Sequence, residues 1–231
     1  MIRNDHSKKG QEAYKSWREK WQDAYRKASF YRSEKNSKAY WDGIAGLDGG
    51  SLSGDEHIRL IKDHLLKEKL LDADSSVLDI GCGGGAYEPA FAESCRCMTA
   101  LDYAPNMVDR CRTYCAGKGI DNVNYVLADY MDDRFEEKYD VVLACLNPST
   151  YNPSAFDKML STAARVLVYF SMDTDIETTE PVYCGCNSVR YAEEYLKEIQ
   201  IPYRKIPYEY SLKTDKGEIR KIRFAYLVIV R

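Results

Sequence analysis

The residues best suited to chemistry fall between Asp79 and Tyr151. Gly81-Cys82-Gly83-Gly84-Gly85-Ala86 fits G-x-G-x-x-G/A, a spacing that lets a backbone turn approach a ligand closely. Asp79 stands two residues before the first glycine. Asp102 lies 23 residues after Asp79 and closes the next apolar run. A carboxylate there can accept both hydroxyls of a ribose. On spacing alone, a nicotinamide dinucleotide fits as well as any other nucleoside. Asp79 tips the balance. A negative charge beside the first glycine opposes a pyrophosphate, which needs the helix N-terminus free of competing anions. It suits an ammonium group. The expected ligand therefore carries an amine near the glycines and a ribose near Asp102.

S-adenosylmethionine has both groups and no phosphate. The stretch VLDIGCGGGAY resembles the first motif of the class I S-adenosylmethionine-dependent methyltransferases, and the likeness continues through ALDYAPNMV, VLADY and YDVVLACLNPST, over roughly residues 75–170. The resemblance implies a role for each matching position. Asp79 and the backbone at Gly81, Cys82, Gly83 and Gly85 would hold the methionine part of the cofactor. Asp102 would bind the ribose, with Tyr103 and Met107 packing on the adenine. Asp129 would accept the adenine amino group, flanked by Ala128 and Tyr130. Leu146 and Asn147 would face the sulfonium, and Tyr40 and Trp41 would close over the methyl donor.

Methyl transfer from a sulfonium is an in-line displacement, so the protein mainly supplies positioning. A base is needed only when the acceptor arrives protonated. LNPSTYNPS, Leu146 to Ser154, resembles in part the N-P-P-Y signature of methyltransferases acting on amide or exocyclic nitrogens. Asn147 and Pro148 match, Ser149 and Thr150 depart, and Tyr151 comes one place late. Asn147, Ser149 and Tyr151 are the candidates for orienting an acceptor, with Asn147 and Tyr151 as the catalytic pair. The three histidines, His6, His57 and His64, precede the glycine turn. His57 is a possible base, but the preferred reading is a surface helix. Cys95/Cys97, Cys111/Cys115 and Cys184/Cys186 form close pairs without a C-x-x-C, a weak zinc signal, and no resident metal is expected. Cys184-Gly-Cys186 alone is kept as a metalloid or soft-acceptor candidate.

The elements that must position these groups alternate. Short apolar runs at 76–80, 97–102, 123–129 and 139–146 predict strands, separated by helical patterns after each of the first two. NPSAFDKMLSTAAR predicts a helix, VLVYFSM a strand and SVRYAEEYLKEIQ a helix. The tail from Tyr203 reads as two strands joined at Asp215-Lys216-Gly217. The expected fold is α/β: a Rossmann-like, mostly parallel seven-stranded sheet with one antiparallel strand near the edge, plus a helical N-terminal appendage. Residues 1–72 are the helical lid or appendage and 73–231 the Rossmann-like domain. Within the appendage, Tyr14, Trp17, Trp21, Tyr25 and Ala28 share one face of a helix, and residues 36–54, rich in Gly and Ser, read as a loop. A helix then starts at Ser53 or Asp55, with Ile58, Ile61, Leu65 and Leu66 buried.

Bulk composition bounds the partners. The chain has 231 residues and a net charge of −3, which gives no general attraction to nucleic acid. Charge is uneven: residues 1–40 carry 11 Lys/Arg against 5 Asp/Glu, and residues 204–231 carry 8 against 3. These basic margins are read as solvated faces, with an anionic substrate as the sharper alternative. No apolar run approaches the ~20 residues of a membrane span, and the N-terminus has no secretory core. A cytoplasmic location and reduced cysteines are expected. The preferred function is methyl transfer from S-adenosylmethionine to a small molecule, without nucleic acid or membrane. The alternatives are an NAD(P)-dependent oxidoreductase, methylation of a thiol, a metalloid or an amide nitrogen, and a non-catalytic cofactor binder.

Overall fold

The computed structural model describes residues 15–28, 37–45, 55–132, 136–176, 185–213 and 218–231. Its centre is one seven-stranded sheet in the order β3-β2-β1-β4-β5-β7-β6. The strands are β1 Ser76–Ile80, β2 Cys97–Asp102, β3 Val123–Leu127, β4 Tyr139–Cys145, β5 Ala163–Met172, β6 Arg204–Lys213 and β7 Ile219–Val230. β1 pairs in parallel with β2 and with β4, β2 with β3, and β4 with β5. β7 runs antiparallel to both β5 and β6. The expected architecture is therefore found, including the single reversed strand near one edge. Pro207 falls in β6, the outermost strand on that side, where a missing N–H leaves no ladder bond unmade. The turn read at residues 215–217 lies outside the described residues.

Alternation along the strands sorts side chains to two faces. Leu78 and Ile80 of β1 join a core with Val142, Leu167, Tyr169 and Leu227. Helices α1 Trp17–Lys27, α6 Pro153–Thr162 and α7 Val189–Glu198 cover that face. Val77 points to the other face, with Val141, Leu143, Val168 and Phe170, beneath α3 Glu56–Lys67, α4 Glu88–Ala92 and α5 Pro105–Gly117. Asp79, two residues after Val77, shares that second face.

The first helix starts as its sequence predicts. Ser16 and Glu19 form a reciprocal capping box, and Trp21 is fully buried. The Trp21 indole N–H donates to the Cys186 carbonyl at 3.0 Å, and its ring stacks on Tyr191 at 6.3 Å and tilts against Phe156 at 5.4 Å. Tyr14 lies outside the described residues.

Three readings of the sequence need correction. The Gly/Ser-rich tract contains a helix, α2 Lys38–Ile44, started by Ser37, whose hydroxyl accepts from the Tyr40 N–H at 3.2 Å. The cap and the spacing of Trp41, Ile44 and Ala45 against Ala104 and Met107 outweigh the nearby glycines. In α3 the buried face is His57, Ile58, Ile61 and Leu65; Leu66 is 38% exposed. Ala163, Ala164 and Arg165, read as the end of a helix, instead open β5 directly after α6. Asp55 occupies the start of α3 without a side-chain cap bond.

Candidate functional site

β1 is the strand at which the sheet order reverses, with β2 on one side and β4 on the other. Loops leaving the carboxyl ends of those strands splay apart there and leave a crevice. In this chain the crevice is a cavity of about 740 Å³. Asp79, Gly81, Cys82, Gly83, Gly85, Asp102, Tyr103, Met107, Ala128, Asp129, Tyr130, Leu146 and Asn147 all line it. Trp41 from α2, Tyr25 from α1 and His57 from α3 complete the wall. Two anticipated residues fall elsewhere. Tyr40 is 37% exposed, sits edge-on to Trp41 and does not line the cavity. Tyr151 is buried edge-on against Tyr169, in the core under α6, because the turn after Asn147 carries it away from the opening.

The glycine turn follows β1 directly. Gly81, Gly83 and Gly85 have φ of +73°, +52° and +90°, a region glycine enters without strain. A Cβ at Gly81 would collide with the Asn147 amide. The Asn147 side chain is committed to holding this join. Its Nδ2 donates to the Ile80 carbonyl at 2.7 Å, and its Oδ1 accepts from the Ser149 N–H at 3.0 Å and the Ser149 hydroxyl at 2.9 Å. Leu146 has φ +52°, unusual for a branched side chain, at the tip of the β4 exit.

Three carboxylates mark the crevice. Asp102 is buried, and its two oxygens accept from the backbone N–H groups of Gly83 at 3.0 Å and Ala104 at 2.9 Å. Burial pushes its carboxyl up, and those N–H groups pull against the rise. Asp129 is exposed and accepts from the Met131 N–H at 2.9 Å. Asp79 is buried, yet its Oδ2 has no hydrogen-bond partner. Beside it stands Glu88, the first residue of α4, fully buried with both carboxyl oxygens unpartnered. The sequence reading did not single out Glu88, since a carboxylate in the first turn of a helix ordinarily faces solvent and complements the helix dipole.

His57 also departs from expectation. It is 4% exposed and borders the cavity, stacked on Phe170 at 5.5 Å and edge-on to Tyr87 at 5.8 Å. Its Nδ1 is buried without a partner, and burial pulls its pKa down to about 4, so the ring is neutral near pH 7. Its neighbours on α3, Ile58 and Ile61, carry the apolar signal that brings it inside.

The cysteines described in the structure are Cys82, Cys95, Cys97, Cys111, Cys115, Cys145 and Cys186, all free thiols. Cys184 lies outside the described residues, so the Cys184/Cys186 candidate has only one placed member. Cys111 and Cys115 share a buried face of α5, as their spacing predicts. The ligand atoms of Cys82, Glu88 and Cys111 lie within 4.8 Å of one another.

Residues 77–168 match the family model described as a methyltransferase domain. That span runs from β1 through β5 and holds the glycine turn, Asp102, Asp129 and the Leu146 loop. The chain is 25% identical over 97 residues to nodulation protein S of Rhizobium tropici, a match covering 42% of this chain and 38% of that relative. The fold is shared with magnesium protoporphyrin IX methyltransferase from Synechocystis PCC 6803, solved with bound S-adenosylhomocysteine, at a TM-score of 0.60 and 14% identity, over 87% of this chain and 98% of that one. It is shared equally with a putative RNA methyltransferase from Pyrococcus horikoshii, at a TM-score of 0.60 and 13% identity, over 93% and 98% of the two chains. The unpartnered Asp79 oxygen beside the glycine turn fits the ammonium of S-adenosylmethionine. Among the described residues no helix is long and apolar enough to cross a membrane.

Proposed function

We propose that the chain transfers a methyl group from S-adenosylmethionine to a small-molecule acceptor, in the cytoplasm. One observation carries the reading: a single cavity holds a buried, unpartnered carboxylate at the glycine turn and a backbone-braced carboxylate at the end of β2. The first suits an ammonium and the second a ribose. When bound, the cofactor supplies a methyl group already activated by its sulfonium. Asp79 and the glycine backbone hold the methionine part, and Asp102 holds the ribose. Tyr103 and Met107 flank the adenine, with Asp129, Ala128 and Tyr130 along its edge. Leu146 borders the reacting atoms.

Asn147 positions the loop in this reading, because its side chain is already spent on Ile80 and Ser149. Tyr151, packed on Tyr169, supports the same loop from behind. His57, neutral and at the cavity wall, is the base for an acceptor that arrives protonated. Residues 1–72 serve as the lid over the domain formed by 73–231. The net charge of −3 and the carboxylates lining the cavity favour a small acceptor over a nucleic acid.

Thermal unfolding with each cofactor tests the proposal. S-adenosylhomocysteine at a hundredfold excess over its Kd stabilises a protein by ~2.7 kcal/mol, a Tm rise of about 5–10 °C for a chain of this size. NADH should leave Tm unchanged. A rise with NADH and none with S-adenosylhomocysteine would overturn the reading.

A further inference from the structure

The most anomalous feature of the molecule lies just behind the glycine turn. Asp79 Oδ2 and both Glu88 oxygens are buried and have no hydrogen-bond partner. Native proteins rarely leave even one such atom unpaired, at a cost of about 1–3 kcal/mol each and more when charged. Here three such carboxyl oxygens belong to two acids that act on one another, beside the core cluster holding Tyr87, Phe91 and Cys111.

We propose that Asp79 and Glu88 are a proton-holding carboxyl pair that releases one proton as the cofactor's ammonium arrives, with Glu88 the positioning residue for the ammonium site. The inference rests on reading Asp79 as the ammonium's partner. Two carboxylates side by side in low dielectric cannot both ionise, so the empty pair keeps one proton for that reason and the second because burial disfavours even a single charge there. Burial accordingly pushes Asp79 up to about 7 and Glu88 well above the usual carboxylate range. An ammonium reaching Asp79 supplies the missing positive charge. The Asp79 O–H bond then breaks, its proton leaves through the cavity to buffer, and the carboxylate takes the N–H bonds. Glu88 stays protonated and donates to Asp79, which fixes the direction of the carboxylate.

Among the described residues, the one arginine lining the cavity, Arg110 of α5, donates to the Ala45 carbonyl, and the groups facing the pair are not cations. Asp102 of β2 and Cys145 of β4 face Asp79, as do Tyr87 and Cys82 of the loop. Cys111 and Cys115 of α5, Tyr125 of β3 and again Cys82 face Glu88. His57 of α3 lines the same cavity and is neutral. Every other group named as facing the pair is an acid in its neutral or anionic form. A thiophilic cation among Cys82, Cys111 and Glu88 is the other way to neutralise Glu88. It fits less well, since a dication there would repel the ammonium that Asp79 is placed to receive.

Calorimetry decides the matter with the full chain. S-adenosylhomocysteine carries the ammonium; 5′-methylthioadenosine keeps the adenosine and sulfur but lacks the amino acid. In two buffers of different ionisation heat at pH 6, S-adenosylhomocysteine should release about one proton and 5′-methylthioadenosine none, and affinity for the former should fall up to about tenfold for each unit that pH drops below 7. Glu88→Ala removes the donor that lowers the Asp79 carboxyl, so it should move that pH profile to higher pH while S-adenosylhomocysteine still binds. Buffer-independent binding of S-adenosylhomocysteine to the unaltered protein overturns this inference and leaves the proposed function standing. No binding at all overturns both. One equivalent of zinc in the purified protein, resistant to a chelator and lost in Cys111→Ser, would show Glu88 ligated and also overturn it.

Discussion

Asp79 and Asp102 look alike from a distance. Each is a buried aspartate at or near the carboxyl end of a parallel strand, and each borders the same cavity. Their environments differ. Asp102 is finished: two backbone N–H groups already hold its oxygens. Asp79 is unfinished: it has an orphan oxygen and a second carboxyl for a neighbour. A braced carboxylate is preorganised and belongs to the fold as much as to the site. In the proposed function, the partner missing from the unbraced one is the ligand, and the protein carries the cost until it arrives.

The severest way to break the comparison is to remove the turn that both aspartates share. Gly81→Ala forces a residue with a Cβ into φ +73° and onto the Asn147 amide, which is tied to Ile80. Strain of this kind is worth about 1–3 kcal/mol, and the displaced loop adds more. S-adenosylhomocysteine affinity should fall by more than about a hundredfold, measured by calorimetry, with a lowered Tm.

Substituting the aspartates separately should split affinity from stability. Asp79→Asn removes a charge-assisted contact to an ammonium, worth ~1.5–3 kcal/mol of binding. It also removes an awkward buried acid. An acid whose folded pKa is raised helps stability at low pH and loses that contribution as pH rises from its unfolded value near 4 through about 7. Without cofactor, Asp79→Asn should therefore gain on the unaltered protein, by chemical denaturation, as pH rises across that window. A constant gap would show that Asp79 ionises normally. Asp102→Ala should weaken cofactor binding by about 1–3 kcal/mol and also destabilise the cofactor-free protein, since the Gly83 and Ala104 N–H groups lose their acceptor. If its stability is unchanged, Asp102 does not brace the turn.

The legible and illegible parts of this site follow the same division. The glycine turn, Asp79 and Asp102 could be read because their meaning is local: a strand, a turn that needs positive φ, and a carboxylate at a fixed offset. The strands were legible from their apolar runs. Glu88 was not, because its burial comes from the packing of α4 against β2 and from α5 above it, which no local pattern records. His57 was missed for a related reason. The period of α3 allowed either edge of the apolar stripe to be inside, and the structure buries the His57 edge and exposes Leu66. The Asn147 loop was legible as a loop at the right place, but the direction of Tyr151 depended on a 3-10 turn at Pro148–Thr150 that the partial N-P-P-Y likeness did not foretell.

The smallest expected effect concerns the cover over the braced end. α2 leans on the first turn of α5: the Asn106 N–H donates to Asp42 Oδ1 at 2.9 Å, Arg110 donates to the Ala45 carbonyl, and Ile44 and Ala45 pack on Ala104 and Met107. Those contacts place Trp41 at the cavity wall beside Asp102 and Met107 and leave Asp79 untouched. The helix depends on one cap, the Ser37 hydroxyl. Ser37→Ala should cost α2 about 0.5–1 kcal/mol. A helix of seven residues has little else to hold it, so part of that loss should reach the ligand that Trp41 covers. Affinities for S-adenosylhomocysteine and 5′-methylthioadenosine should fall together, by about two- to fivefold, because both carry the adenosine that the proposed function places under α2. A loss confined to S-adenosylhomocysteine would mean that α2 closes over the amino-acid end, and the division between a covered, braced half and an open, proton-holding half would have to be redrawn.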